Sequence, residues 1–208
     1  MDFTQTVAQA LKDGITARQL TLDNQLQNLT NIGHLCGKAI ENGNKILLCG
    51  NGGSAADAQH LAAELLIRLR PNLTRQTLPA IALAMDTSTL TACGNDLGFD
   101  VIFERMVEAL GKPGDVLIGI TTSGKSPNVL KAFSKAKEMN ITTVGFLGLK
   151  GGPAQEMCEY VFNAQTDVTA RIQELHITAG HIVMELVEEH LIEKGIIKKQ
   201  WVETFGLI

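Results

Sequence analysis

His60 and Glu64 stand four residues apart in a stretch that reads as a helix, so the spacing puts both side chains on one face. An imidazole and a carboxylate placed this way can converge on one metal ion, or they can form a plain i,i+4 hydrogen bond. A second candidate helix carries Arg171-Ile172-Gln173-Glu174-Leu175-His176 and then His181. Gln173 and His181 are eight residues apart, which separates them by about 80° around the helix and about 12 Å along it. Both reach one ion only by leaning toward its centre, so the spacing leaves open that one of them serves a neighbouring subunit's site. His34, His176 and His190 have no comparable context and read as structural or solvated.

Two loops have the composition of phosphate cradles. Cys49-Gly50-Asn51-Gly52-Gly53-Ser54 follows an apolar run and opens the helix that carries His60 and Glu64. Glycines let a backbone approach a ligand closely, and a helix start offers free N–H groups and a positive dipole end. The same residues also suit a tight turn with Ser54 as an ordinary N-cap. Thr121-Thr122-Ser123-Gly124-Lys125-Ser126 likewise follows an apolar run and precedes a helix. Four hydroxyls beside a helix N-terminus form a dense set of phosphate donors. Neither loop has the spacing of a P-loop or of a GxGxxG dinucleotide fingerprint, so a sugar phosphate fits better than a nucleotide.

The elements that position these residues alternate. Residues 3–30 read as a long amphipathic helix, with Phe3, Val7, Leu11, Ile15, Leu22, Leu26 and Leu29 at near-helical spacing, and 31–42 as a second helix stopped by Asn42-Gly43-Asn44. Apolar runs at 45–49, 80–84, 115–120, 142–147 and 160–163 read as five strands. Helices are expected at 54–70, 87–93, 99–110, 127–139, 153–158 and 169–194, with Gly94-Asn95-Asp96 breaking the pair before residue 110. This order predicts an α/β fold: a doubly wound, mostly parallel five-stranded sheet with helices on both faces and long N- and C-terminal helices. The tail, 195–208, carries Ile196, Ile197, Trp201, Phe205 and Ile208, which could pack on the domain or on a neighbouring subunit.

Composition bounds the rest. The 208 residues suit a single domain with a sizeable core, with 45% hydrophobic and 19% charged residues. A net charge of −4 without basic clusters argues against a nucleic-acid partner. The polar start Asp2, Thr4, Gln5 and Thr6 does not resemble a signal peptide, and no apolar run reaches membrane-spanning length. Four scattered cysteines without a CxxC pair fit a thiol-containing cytoplasmic protein and argue against thiolate-bound structural zinc.

Taken together, CGNGGSAADAQHLAAE, Gly94-Asn95-Asp96, TTSGKS and RIQELH followed by His181 resemble the phosphoheptose isomerases, which have the sugar-isomerase (SIS) fold. The resemblance covers roughly residues 30–190, with the motifs in the expected order. It implies conversion of sedoheptulose 7-phosphate to D-glycero-D-manno-heptose 7-phosphate, the first step toward heptose for bacterial lipopolysaccharide. It also implies a cytoplasmic homotetramer with one zinc per active site. By resemblance, the zinc ligands would be His60, Glu64, Gln173 and His181, with Glu64 and His181 as the acid/base pair. Asn51, Gly52, Gly53, Glu64, Asn95, Asp96 and Gln173 would contact the substrate, and Thr121, Thr122, Ser123 and Ser126 its phosphate. Non-catalytic replication-initiator-associating proteins look very similar through the glycine loop, but serine stands there at the position of Glu64. A regulatory SIS domain that senses a phosphosugar would need the phosphate loop but not the His60, Glu64, Gln173 and His181 set. Residues beyond about 194 have no role that the resemblance supplies.

Overall fold

The computed structural model describes residues 2–83, 86–197 and 200–201. Its strands are β1 (Ile46–Gly50), β2 (Leu73–Thr74), β3 (Ala80–Ala82), β4 (Val116–Thr121), β5 (Thr142–Leu147), β6 (Tyr160–Asn163) and β7 (Gln200–Trp201). Its α-helices are α1 (Phe3–Glu41), α2 (Gly53–Leu66), α3 (Thr87–Asp96), α4 (Ile102–Leu110), α5 (Pro127–Glu138), α6 (Ala154–Met157) and α7 (Thr169–Glu193). Five strands form one parallel sheet in the order β3-β1-β4-β5-β6. From β1 the chain winds outward to β3, then returns to place β4 on the other side of β1. The ends of β1 and β4 therefore lie side by side, with Gly50 in register with Ile120. In an open α/β sheet this reversal of strand order creates the ligand crevice. Here it brings together the two loops that follow β1 and β4.

Alternation along the strands divides the core. Ile46, Leu48, Ile118, Ile120, Val144 and Phe146 face one layer, which includes Leu61 and Leu65 of α2 and Leu175, Val183 and Val187 of α7. Leu47, Leu117 and Leu147 face the other, with Phe103 of α4 and Phe133 of α5. The site helices α2 and α7 thus lie in the same layer, each seated by buried leucine and valine.

Several boundaries differ from the sequence expectation. Residues 3–41 form one uninterrupted helix of 39 residues rather than two. Asp2 caps it by accepting from the Thr4 and Gln5 amides, and nothing at residue 31 stops it. Gly33, just past the expected division, is a contact point: a Cβ there would lie 2.5 Å from Leu186 of α7. α2 ends at Leu66 rather than 70. Gly94-Asn95-Asp96 is the last turn of α3 rather than a break, and the chain leaves the helix at Leu97 and Gly98, whose amides both donate to the Cys93 carbonyl. β2 and β7 pair antiparallel, an addition that two-residue strands are too short to announce. Ala84, expected at the end of the second strand, and residues 202–208 of the tail lie outside the described residues.

The amphipathic pattern of α1 is real, but much of its apolar face has no cover among the described residues. Phe3, Val7, Leu11, Ile15, Leu22 and Leu26 are exposed, Phe3 by 73%. An apolar groove lined by Leu22, Leu26, Leu29, Leu175, Ala179 and Ile182 continues this surface between α1 and α7.

Candidate active site

α2 begins at the glycine loop, with Gly52 in the N-cap position. Ser54 is therefore inside the first turn and does not cap the helix through its side chain, contrary to the simple capping reading. Seven and eleven residues beyond Gly53, the helix presents His60 and Glu64, with His60 Nε2 3.2 Å from Glu64 Oε1. His181 arrives from α7, and its Nε2 lies 2.9 Å from His60 Nε2. The ring centroids are 5.0 Å apart. One donor atom from each of His60, Glu64 and His181 falls within 4.8 Å of the others.

Two imidazoles and a carboxylate converging from two helices form a donor set suited to a borderline divalent ion such as zinc. The trio is also accessible: the His60 side chain is half exposed, while that of Glu64 is mostly buried. Gln173 packs its amide against Gly53, whose added Cβ would lie 2.5 Å from Gln173 Nε2. Both α7 residues therefore meet α2 of their own chain, Gln173 at its first residue and His181 at its second turn.

Sequence reasoning missed Asp57, one turn before His60. Its Oδ2 is buried without a hydrogen-bond partner among the described residues. Burial pushes its carboxyl above the usual range, opposed by the nearby His60 and His181. A buried carboxylate oxygen with no partner is costly, and its place near two imidazoles fits a centre that could hold a cation.

The loop after β4 does not cap α5 through a side chain. Ser126 occupies the N-cap of α5 but makes no side-chain capping bond. Its hydroxyl instead pairs with that of Thr121 at 3.1 Å. Ser123 is exposed, and its Oγ accepts from the Lys125 amide at 3.2 Å. Thr122 is half-buried. Gly124 closes the turn at φ +63°, where a Cβ would run into the Gly151 carbonyl. The Gly124 carbonyl in turn accepts from the Ala154 amide at 3.1 Å.

Asn128 is a second omission. Its amide and that of Asn51 exchange two hydrogen bonds of 2.9 Å, joining the β1 loop to the first turn of α5. The candidate Asn51 is thus fixed in the crevice. Asn95 and Asp96 are exposed on the last turn of α3 and bond to each other at 2.6 Å.

The sheet order and the two crevice loops define an SIS domain, and the SIS-domain family model matches residues 12–148. Phosphoheptose isomerases are the relatives found. That of Aquifex aeolicus is 53% identical over 169 residues, covering 81% of this chain and 87% of the relative. That of Burkholderia pseudomallei is 46% identical over 192 residues, covering 92% of this chain and 95% of the relative. The solved phosphoheptose isomerase from Neisseria gonorrhoeae superposes with a TM-score of 0.85 at 39% identity, over 90% of this chain and all of that one. The chain belongs to the phosphoheptose isomerase family and is an isomerase.

Proposed function

We propose that this isomerase interconverts sedoheptulose 7-phosphate and D-glycero-D-manno-heptose 7-phosphate, with zinc held by His60, Glu64, Gln173 and His181. The observation that carries the reading is the meeting of His60, Glu64 and His181 beside the crevice between two phosphate-type loops. Conversion of a ketose to an aldose moves a proton between adjacent carbons through an enediol. It needs a base at carbon, an acid at oxygen and a held substrate.

The residues divide this work. Thr121, Thr122, Ser123 and Ser126, with the amides at the start of α5, hold the phosphate. Asn51, Gly52, Gly53, Gln173, Asn95 and Asp96 hold the sugar. Glu64 removes the proton from carbon, and His181 moves a proton at the neighbouring oxygen. Bound zinc would supply a Lewis acid that polarises the substrate carbonyl. A carboxylate that serves a metal is a weaker base than a free one. Glu64 has two oxygens, and with Oε1 lying 3.2 Å from His60 Nε2, Oε2 is assigned the proton.

The exposed apolar face of α1 supports a homotetramer, in which copies of this chain cover that face for one another. Four free thiols support a cytoplasmic setting, and no described helix is long and apolar enough to cross a membrane. The product would enter heptose supply for lipopolysaccharide. Purified protein incubated with sedoheptulose 7-phosphate tests the proposal, with zinc added or removed by a chelator. Heptose 7-phosphate should form and its formation should cease on chelation. No conversion under any metal condition would replace the isomerase reading with that of a sugar-phosphate binder.

A further inference from the structure

Between α2 and β3 the chain folds back over the end of α2 and buries an arginine there. The side chains of Arg75 and of its partner Glu188 on α7 are both fully inaccessible. Arg75 Nη2 donates to the Glu64 carbonyl at 2.7 Å, and Nη1 donates to the Leu65 and Gln76 carbonyls at 2.9 Å each. Arg75 Nε donates to Glu188 Oε1 at 2.6 Å, and Arg70 Nε donates to Glu188 Oε2 at 2.7 Å. From outside, Gln76 Nε2 donates to the Ile196 carbonyl at 3.1 Å, and the β2–β7 pairing holds the same segment.

The carbonyls of a helix's last turn have no partners within the helix, and a cation is favoured there. Arg75 meets both needs at the turn that bears Glu64. Glu188 lies seven residues beyond His181, two turns along the same face of α7. One guanidinium therefore ties the backbone of Glu64 to the helix that carries Gln173 and His181. Burying this pair is a costly way to join two helices, since apolar side chains of similar volume often do so equally well. Its distinct property is directional: a planar fork fixes carbonyl and carboxylate positions together.

We infer that Arg75, held by Glu188, is a positioning residue that sets the placement of Glu64 relative to His181. The inference rests on the proposed metal centre. The test compares wild-type protein with Arg75→Lys and with the double variant Arg75→Met/Glu188→Met. Zinc affinity is measured by competition with a chromophoric chelator, alongside melting temperature, kcat and KM. The double variant removes both fully buried charges and leaves the partly exposed Arg70 its Glu189 partner, so it should melt near the wild type. Its zinc affinity should fall about 10- to 100-fold, as when a metal ligand loses its support. Its kcat should fall while KM for the sugar phosphate holds, because the β4 loop is untouched.

Arg75→Lys keeps the charge beside Glu188 but cannot serve the same carbonyls, so it should fold and still lose zinc affinity. It decides the matter if the double variant does not fold. Undiminished zinc affinity and kcat in a folded variant overturn the positioning role. A wild-type protein that takes up no zinc overturns the metal centre itself, and the positioning role with it.

Discussion

Gly53→Ala separates folding from site assembly. The new Cβ would stand 2.5 Å from Gln173 Nε2, about 1 Å inside ordinary contact. The obstructed atoms are the end of a flexible side chain, so the Gln173 amide should swing aside without moving either helix. Gly53 is the first residue of α2 and is not among the positive-φ glycines, so alanine suits its backbone and should stabilise the helix by up to about 1 kcal/mol. Metal–ligand distances tolerate only about 0.2 Å, so a shift near 1 Å should disrupt the proposed role of Gln173 at the metal. Loss of even an outer partner of a ligand costs about 10- to 100-fold in metal affinity, and loss of Gln173 should cost at least as much.

The assay is zinc competition on the purified variant, beside its melting curve. Gln173→Ala should give a similar loss, and the Gly53→Ala/Gln173→Ala pair should lose little more than either alone. Wild-type zinc affinity and turnover in Gly53→Ala would refute the reasoning. So would losses that add fully in the pair, since Gly53 would then act through something other than Gln173.

Three further outcomes are expected. Ser126→Ala removes a proposed phosphate donor without removing a capping bond and should raise KM about 10- to 100-fold with a smaller change in kcat, as steady-state kinetics would reveal. Burial holds the His176 imidazole down to about 4, against the bond it gives the Leu147 carbonyl. Its folded-state pKa lies below the unfolded value of about 6.5, so this stability is complete above pH 6.5 and should be lost as the pH falls toward 4. The loss approaches about 3 kcal/mol at its limit. Denaturant melts from pH 7 to 4.5 should show that loss, and His176→Gln should flatten it. Leu11→Asp combined with Ile15→Asp should leave the domain folded but lower the assembled mass in light scattering, because both residues lie on the exposed face of α1. An unchanged mass would remove that face from the proposed tetramer.

The fold was legible because buried parallel strands are nearly continuous apolar runs, as in Ile46-Leu47-Leu48-Cys49, and because helices separate them. The two loops could be read from glycine and hydroxyl clusters at strand ends. The partnership of His60 and Glu64 could be read from local spacing alone, but that with His181 needed the packing of α7 on α2. Asn128 and Arg75 were missed because their partners are Asn51 and Glu188, and no local spacing encodes such distant pairings; Asp57 stands only three residues before His60, a spacing that was there to be read. The expected division of α1 at residue 31 is absent, and Gly33 just beyond it packs against Leu186 of α7 within one continuous helix. The periodicity of Phe3 to Leu26 was right about helix, yet periodicity does not say which molecule covers the apolar face.

The central claim is that Glu64, beside His60 and His181, is the base that moves the substrate proton. Turnover of sedoheptulose 7-phosphate by zinc-loaded Glu64→Gln tests it most directly, with bound zinc quantified in the same sample. The glutamine keeps the size and a coordinating oxygen but cannot accept the proton. Turnover should fall about 10²- to 10⁴-fold, the usual contribution of a positioned general base. Near-normal turnover with the metal bound would contradict the assignment.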